Sequence, residues 1–201
     1  MMLVKICGLK TAADAIDATN AGADLIGFVF ANSKRQVSVT EAEVMIRKLP
    51  STVKTVGVFV DTSIALINQV AKKVKLDYVQ LHGHESVLSC QESDYPVIKG
   101  LRIETKEDLN HALKYLSVVD YLLLDGVNPG SGRKFDWNLL ETMPIPREKI
   151  FLAGGLSPAN VEMAIKRVQP RGVDVSSGVE TDGKKDLIKI NQFIKKVKEE
   201  R

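Results

Sequence analysis

Two side chains in this sequence could move protons during a reaction. Cys7 ends the short apolar run Leu3–Cys7 and stands next to Gly8. A thiol has an unperturbed pKa of about 8.5 and accepts a proton where its neighbours favour the thiolate. Asp125 follows the apolar stretch at 121–124, and apolar walls can raise the pKa of a carboxylic acid. The two residues would make a base and acid pair. Each also has a plainer interpretation, since a free Cys is usually a small buried side chain and an Asp here can cap a helix or anchor a loop.

A group of small residues near the C-terminus is suited to holding an anion. Gly154-Gly155 and Ser177-Gly178 each follow an apolar run. Glycines let backbone N–H groups approach a phosphate closely, and a helix that begins there adds a favourable dipole. A single Gly-Gly pair would indicate a tight turn equally well. Two such loops on neighbouring strands favour a phosphate site in the fold predicted below.

Two further polar residues could orient a substrate. Arg35 follows Ser33 and Lys34, and the fork of a guanidinium suits a carboxylate, although an Arg at a protein surface is most often a solvated charge. His82 follows another apolar run, where it could orient a substrate group or cap a loop. The residue types alone favour neither interpretation of His82.

Eight short apolar runs alternate with helical segments along the chain. The runs are rich in Val, Ile and Leu, and most are continuously apolar, which is typical of strands buried on both faces in a parallel sheet. The predicted strands are Leu3–Cys7, Leu25–Phe30, Thr55–Val60, Tyr78–Leu81, Val97–Leu101, Tyr121–Leu124, Ile150–Ala153 and Gly172–Val175.

The segments between these runs carry apolar residues at helical spacing. Thr11 is a plausible N-cap for the first helix, Pro50 stops the second, and Ser157-Pro158 has the pattern of a helix start. The predicted helices are Ala12–Ala21, Thr40–Leu49, Ile64–Val74, Ser86–Cys90, Lys106–Leu116, Trp137–Thr142, Ala159–Val168 and Leu187–Val197.

Eight strand–helix units in about 200 residues predict an α/β fold, a single (β/α)8 TIM barrel over residues 1–201. An open doubly wound sheet is the alternative, but it normally has fewer strands, and no G-x-G-x-x-G follows the first run. In a barrel of this kind the functional residues lie at the C-terminal ends of the strands. The polar and glycine residues described above all follow the predicted strands at that end.

Composition excludes several classes of protein. The net charge of +3 is too small to indicate nucleic-acid binding, which requires a concentrated basic stripe, so no nucleic-acid partner is expected. No apolar run approaches the roughly 20 residues of a membrane span, and the N-terminus does not resemble a signal peptide. Two cysteines, Cys7 and Cys90, are too few for a disulfide scaffold. We therefore expect a cytoplasmic protein.

Several motifs together resemble those of the phosphoribosylanthranilate isomerases of tryptophan biosynthesis. The combination of KICG near one end with DVSSGVE near the other is highly specific, and the matches run from the first strand to the last helix. They are KICGL (5–9), GADLIGFVF (22–30), SKR (33–35), VGVFV (56–60), VQLHG (79–83), LLLD (122–125), GSG (130–132), FDW (135–137), AGGLSPANV (153–161), GVDVSSGVE (172–180) and GKKD (183–186).

The resemblance implies an Amadori rearrangement of N-(5-phosphoribosyl)anthranilate to a 1-(2-carboxyphenylamino)-1-deoxyribulose 5-phosphate. Asp125 matches the family's general acid, which opens the furanose ring, and Cys7 matches the general base, which removes the proton from C2. Arg35 matches the residue that holds the anthranilate carboxylate.

The resemblance also implies the remaining site residues and the partners. His82 and Asp174 match positions near the substrate, and the family uses no metal or organic cofactor. Family members are monomers or homodimers. The expected small-molecule partner is the phosphosugar–anthranilate substrate. The phosphate-binding positions are matched by Gly154, Gly155, Ser177 and Gly178.

Two other classes of barrel protein remain as alternatives: a different phosphosugar enzyme, of which two examples follow, and a barrel that only binds a ligand. A sister isomerase of histidine biosynthesis would pair aspartates at the first and fifth strands, whereas the first strand here ends in Cys7. Indole-glycerol-phosphate synthase would need catalytic lysines at strand ends, and Lys5 lies inside the first strand with no second rim Lys evident. A barrel that only binds a ligand would tolerate loss of Cys7 or Asp125, and both are present.

Overall fold

Eight parallel strands close into a barrel in the computed structural model of the chain, which describes residues 2–126, 137–141 and 144–200. Each strand pairs with the next along the chain, and the first strand pairs with the eighth. The predicted (β/α)8 barrel is therefore confirmed. The strands are β1 Leu3–Cys7, β2 Leu25–Val29, β3 Lys54–Phe59, β4 Tyr78–Leu81, β5 Val97–Arg102, β6 Tyr121–Asp125, β7 Ile150–Leu152 and β8 Gly172–Val175.

Helices follow the strands and cover the outside of the barrel. They are α1 Ala12–Asn20, α2 Val39–Ile46, α3 Ile64–Val74, α4 Val87–Gln91, α5 Lys106–Leu113, α6 Asn138–Glu141, α7 Val161–Val168 and α8 Leu187–Glu199. Short 3₁₀ helices lie at Arg147–Lys149 and Ser177–Val179, and the segments Glu180–Thr181 (β9) and Lys184–Lys185 (β10) form an antiparallel hairpin before α8. Within the described ranges, none of the helices has the length and apolar character needed to cross a bilayer.

The predicted boundaries hold best for strands. The bounds of β1, β4 and β8 are confirmed to the residue, and Thr11 caps α1 by accepting a hydrogen bond from the N–H of Asp14 at 3.1 Å. Helices α2 and α5 end three residues earlier than predicted. The predicted loop from Gly126 to Lys134, beyond Gly126 itself, and the predicted helix end at Thr142 lie outside the described residues.

The predicted start of the seventh helix is wrong. Ser157 does not cap α7, which begins at Val161 after a three-residue turn. Asn160 holds this turn, because its side chain accepts from the N–H of Ser157 at 2.8 Å and donates to the carbonyl of Gly155 at 2.9 Å. These local hydrogen bonds compete with the helical geometry, so Pro158 lies in the turn instead of the first helical position.

Side chains of alternate residues point into the barrel and out toward the helices. The inward set fills the barrel with a small apolar cluster of Leu25, Val56, Ile98, Leu123, Phe151 and Ala153. The outward set joins the buried helix faces in a much larger core. Because the inner cluster occupies the interior, functional side chains lie above it, toward the C-terminal ends of the strands.

Replacing Ser38 by Ala should lower the free energy of unfolding by about 1 kcal/mol. Ser38 caps α2 reciprocally: its hydroxyl accepts from the N–H of Glu41 at 3.2 Å, and the Glu41 carboxylate accepts from the N–H of Ser38 at 2.7 Å. Ser63 occupies the same position before α3 but makes no capping hydrogen bond with its side chain. In urea unfolding, Ser63→Ala should therefore change little, and equal losses in the two variants would contradict the capping role.

Candidate active site

The residues predicted to do chemistry gather at one end of the barrel. Parallel strands bring their C-terminal ends to the same rim, and the predicted residues follow or end different strands. Cys7 is the last residue of β1 and Asp125 the last of β6, while Arg35 and His82 lie in the loops after β2 and β4. The glycine and serine residues lie after β7 and β8, and Asp174 lies within β8.

Cys7 lies against the floor of this site and is only 7% exposed. Gly27 of β2 leaves the space it occupies, because a Cβ there would lie 2.7 Å from the Cys7 sulfur. Burial raises the pKa of Cys7, and the charge of the neighbouring Lys5 opposes that rise. The resting side chain is therefore a thiol, and its conversion to a thiolate depends on nearby positive charge.

Lys5 and Asp174 form a buried ion pair below Cys7. Lys5 is fully buried, and its ammonium nitrogen lies 2.7 Å from Oδ1 of Asp174. Burial alone would lower the pKa of Lys5, but the carboxylate of Asp174 raises it to about 12. Lys5 thus carries its charge throughout the neutral pH range. Asp174, which the resemblance places near the substrate, contacts Lys5 directly here.

His82 connects β4 to the carboxylate that ends β6. Its Nε2 lies 3.5 Å from Oδ2 of Asp125, and its Nδ1 lies 2.8 Å from the side-chain nitrogen of Gln80. Nδ1 therefore faces Gln80 and Nε2 faces Asp125. The ring lies directly over Gly100, where a Cβ would approach Nδ1 to 2.3 Å. Gln80 and Gly100 contact the ring and leave Nε2 on the side of Asp125.

Arg35 is held by a carboxylate of the protein. Its Nε and one terminal nitrogen each donate to Glu180 at 2.7 Å, one to each carboxylate oxygen. Lys185 also donates to Glu180 at 2.7 Å. Burial opposes the ionisation of Glu180, but these cations lower its pKa, so it stays charged. A cavity of about 430 Å³ opens beside them, lined in part by Gly8 and Lys10.

The loops after β7 and β8 pack closely together. A Cβ on Gly178 would lie 1.8 Å from the carbonyl oxygen of Leu156, so only glycine fits there. Gly154 and Gly155 both have positive φ, at 84° and 65°, and a Cβ on Gly155 would meet no atom within 4 Å. Among the described residues, neither N–H donates to a backbone acceptor. Gly155 thus lies beside open space, and its N–H is a candidate donor to an anion there.

A second buried ion pair holds the loops after β3 and β4. The ammonium of Lys99, on the outer face of β5, lies 2.7 Å from Glu85 and donates to the carbonyl of Gly83 at 2.7 Å. Glu85 in turn accepts from the N–H groups of Gly83 and Asp61, each at 2.9 Å. This arrangement fixes the loop that carries His82.

Sequence reasoning did not identify four residues that shape this rim. Lys5 and Gln80 are polar residues inside apolar strands, and that interruption is a signal that could have marked them. Glu180 and Lys185 sit among the last motifs, and no spacing rule pairs them with Arg35. In the described ranges, no group of three or more His, Cys, Asp or Glu side chains is arranged to hold a metal ion.

The fold and this rim define the class of protein: a (β/α)8 barrel with its polar and glycine residues collected at the C-terminal ends of its strands. Residues 4–196 match the family model of N-(5′-phosphoribosyl)anthranilate (PRA) isomerase. The chain belongs to that family.

Known members of the family are similar over essentially the whole chain. The N-(5′-phosphoribosyl)anthranilate isomerase of Bacillus cereus is 45% identical, with 98% of each protein covered. The crystal structure of phosphoribosyl anthranilate isomerase from Thermotoga maritima has a TM-score of 0.91 and 42% identity, covering 99% of this chain and all (100%) of that one. A phosphoribosyl anthranilate isomerase in complex with reduced 1-(o-carboxyphenylamino)-1-deoxyribulose 5-phosphate has a TM-score of 0.88 and 40% identity, with 99% and 100% covered.

Proposed function

We propose that this chain isomerises N-(5-phosphoribosyl)anthranilate to 1-(2-carboxyphenylamino)-1-deoxyribulose 5-phosphate in tryptophan biosynthesis, by general acid–base catalysis. Family membership over residues 4–196 supports the substrate and the reaction. The observation that carries the mechanism is that a thiol and a carboxyl group, Cys7 and Asp125, end two strands at the same rim of the barrel.

In the first step Asp125 donates a proton to the ring oxygen of the furanose. The C1–O bond breaks, its electron pair stays on the oxygen, and the nitrogen lone pair forms the C=N bond of a Schiff base. Asp125 is left as a carboxylate. His82, with its Nε2 at 3.5 Å, can then hold that carboxylate in place by a hydrogen bond from Nε2.

In the second step Cys7, as the thiolate, removes the proton from C2. The S–H bond forms, the C–H electron pair becomes a C=C bond, and the C=N electron pair returns to nitrogen. The enolamine then tautomerises to the ketone of the product. Cys7 and Asp125 therefore have separate tasks, one at C2 and one at the ring oxygen.

The two anionic ends of the substrate would bind on different loops. The phosphate binds at the loops after β7 and β8, whose phosphate-binding residues are Gly154, Gly155, Ser177 and Gly178. The anthranilate carboxylate binds Arg35. A guanidinium has five N–H donors, and two of those of Arg35 are engaged by Glu180, so three remain for the substrate. Glu180 holds the guanidinium in position for this contact.

Removing the side chain of Arg35 should raise KM about tenfold or more and change kcat less. Arg35 would bind a carboxylate far from the reacting carbon, so its interaction is nearly the same in the ground state and the transition state. Arg102→Ala is the matched control, because Arg102 also lies at the C-terminal end of a barrel strand but pairs with Glu104. Steady-state kinetics of both variants would contradict the proposal if Arg35→Ala lowered kcat alone or if both variants raised KM equally.

Other features of the proposal follow from the family resemblance. We propose that residues 1–201 form one barrel domain, a monomer or a homodimer, which needs neither a metal nor an organic cofactor. We also propose that it works in the cytoplasm, and the two free thiols, Cys7 and Cys90, suit a reducing compartment.

A coupled assay tests the proposed reaction. The purified chain is mixed with anthranilate, phosphoribosyl pyrophosphate and the transferase that joins them, and the fluorescence of the adduct is followed. The expected result is a fall in fluorescence that is proportional to the concentration of this chain. A rate equal to that of the spontaneous decay of the adduct would contradict the proposed function.

A further inference from the structure

The buried pair of Lys5 and Asp174 has no task in the mechanism described so far. Charged side chains in a protein interior are costly to desolvate, so an ion pair inside a barrel calls for a reason. Lys5 is fully buried and Asp174 is 9% exposed. Both point into the barrel, above the inner apolar cluster and below the rim.

Strand geometry places Lys5 directly beneath Cys7. The two residues are two positions apart on β1, and alternate residues of a strand share a face. A Cβ on Gly27 would lie 2.7 Å from the Cys7 sulfur and 3.2 Å from the Lys5 nitrogen, so both atoms border the same small space. Gly27 is also the direct partner of Cys7 on β2.

Asp174 fixes the position of the ammonium group. It is the partner of Lys5 in the register of β1 and β8, and it holds the Lys5 nitrogen at 2.7 Å. A long lysine side chain has many rotamers in solution, and this contact holds its nitrogen beside the space that the Cys7 sulfur also borders. Asp174 therefore acts on Cys7 through Lys5 and not by contact with the reacting atoms.

We propose that Lys5, held by Asp174, is a positioning residue whose ammonium group stabilises the thiolate of Cys7. The inference rests on the proposed function in taking Cys7 as the base. When the thiol gives up its proton, a negative charge appears in a nearly closed site, and the ammonium is the charge nearest to it along the strand. No proton passes through Lys5, which stays an ammonium ion in every step.

Other charged groups also face Cys7, and they do not replace Lys5. Lys185, in the β9–β10 hairpin, lowers the pKa of Cys7 less than Lys5 does. Its ammonium pairs with Glu180 at 2.7 Å, and the guanidinium of Arg35 shares the same carboxylate. Asp174 raises the pKa of Cys7, so the pair as a whole favours the thiolate only because Lys5 has the larger effect.

The test is a titration of the Cys7 thiol in a double variant, Lys5→Met with Asp174→Asn. This variant removes both charges while keeping similar shapes, so no buried charge is left without a partner. The ultraviolet absorbance of the thiolate is followed with pH, and the same variant carrying Cys7→Ser is subtracted. The thiol pKa should rise, because Lys5 lowers it by more than Asp174 raises it. The full effect of an opposite charge, about one unit or more, is expected between this variant and Asp174→Asn alone.

Two further variants separate this effect from general disruption. Lys99→Met with Glu85→Gln removes the other buried lysine–carboxylate pair, which lies outside the barrel, and should leave the Cys7 titration where it is in the wild type. Asp174→Asn differs from the double variant only at residue 5, so its thiol should titrate at lower pH than in the double variant.

The outcomes distinguish the inference from the proposed function, because the titration needs no substrate. An unchanged thiol pKa in the double variant overturns the role of Lys5, whatever the enzyme activity is. A similar rise in the Lys99→Met, Glu85→Gln variant overturns it too. A rise confined to the double variant, with kcat falling as the thiolate fraction falls, supports it. If turnover by the wild type is absent, the proposed function fails while the titration still decides the effect of Lys5.

Discussion

Cys7→Ser should lower kcat by about 10²–10⁴-fold, the range that a well-placed general base contributes, and leave the fold intact. A serine hydroxyl is far less acidic than a thiol, so no comparable fraction of oxyanion forms beside Lys5. The side chains are almost the same size, and the space left by Gly27 accepts either one. The fluorescence assay measures the fall in kcat, and urea unfolding of the same preparation tests whether the fold is intact.

Cys90→Ser is the matched control for this substitution. Cys90 lies in α4, is 3% exposed, and has a pKa raised by burial to about 11, so it stays a thiol at working pH. The change at Cys90 should leave kcat near the wild-type value, even where a buried hydroxyl lowers stability. A Cys7→Ser protein that turns over at the wild-type rate would remove Cys7 from the role of base.

The barrel itself could be predicted because its signal is local. Continuous apolar runs such as 121–124 mark strands buried on both faces, and each run needs only its own residues to be identified. The ends of helices were harder to predict, since α5 ends at Leu113 while the apolar spacing continues to Leu116. The hydrogen bonds that end a helix depend on turn geometry, which spacing does not encode.

The positions of the rim residues could be predicted from the sequence, but the contacts between them could not. Cys7, Asp125 and His82 were found because each follows a strand, and parallel strands end together. Lys5 and Asp174 are 169 residues apart, and Arg35 and Glu180 are 145 apart. Pairs so distant in the chain follow from strand register and loop shape, so the sequence identified one member of each pair, Asp174 and Arg35, without its partner.

Asp125→Asn should lose turnover by about 10²–10⁴-fold while keeping its affinity for the reduced product analogue. Asparagine has nearly the shape of aspartic acid, but it cannot donate a carboxylic proton to the ring oxygen. The analogue is already ring-opened, and its phosphate and carboxylate would bind at the loops after β7 and β8 and at Arg35. Calorimetry for affinity and fluorescence for turnover, on one preparation, separate chemistry from binding.

Asp61→Asn is the control that makes the Asp125 result specific. Asp61 follows β3 at the same rim, where its carboxylate accepts from the N–H of His84 at 2.6 Å, and its φ of 47° is one that Asn also tolerates. The same substitution there should leave turnover close to the wild type. If Asp125→Asn instead lost affinity and turnover together, with a lowered melting temperature, Asp125 would be an anchor of its loop. The proton donor would then have to be another group on the rim, and His82, whose Nε2 lies 3.5 Å from Asp125, would be the first to test.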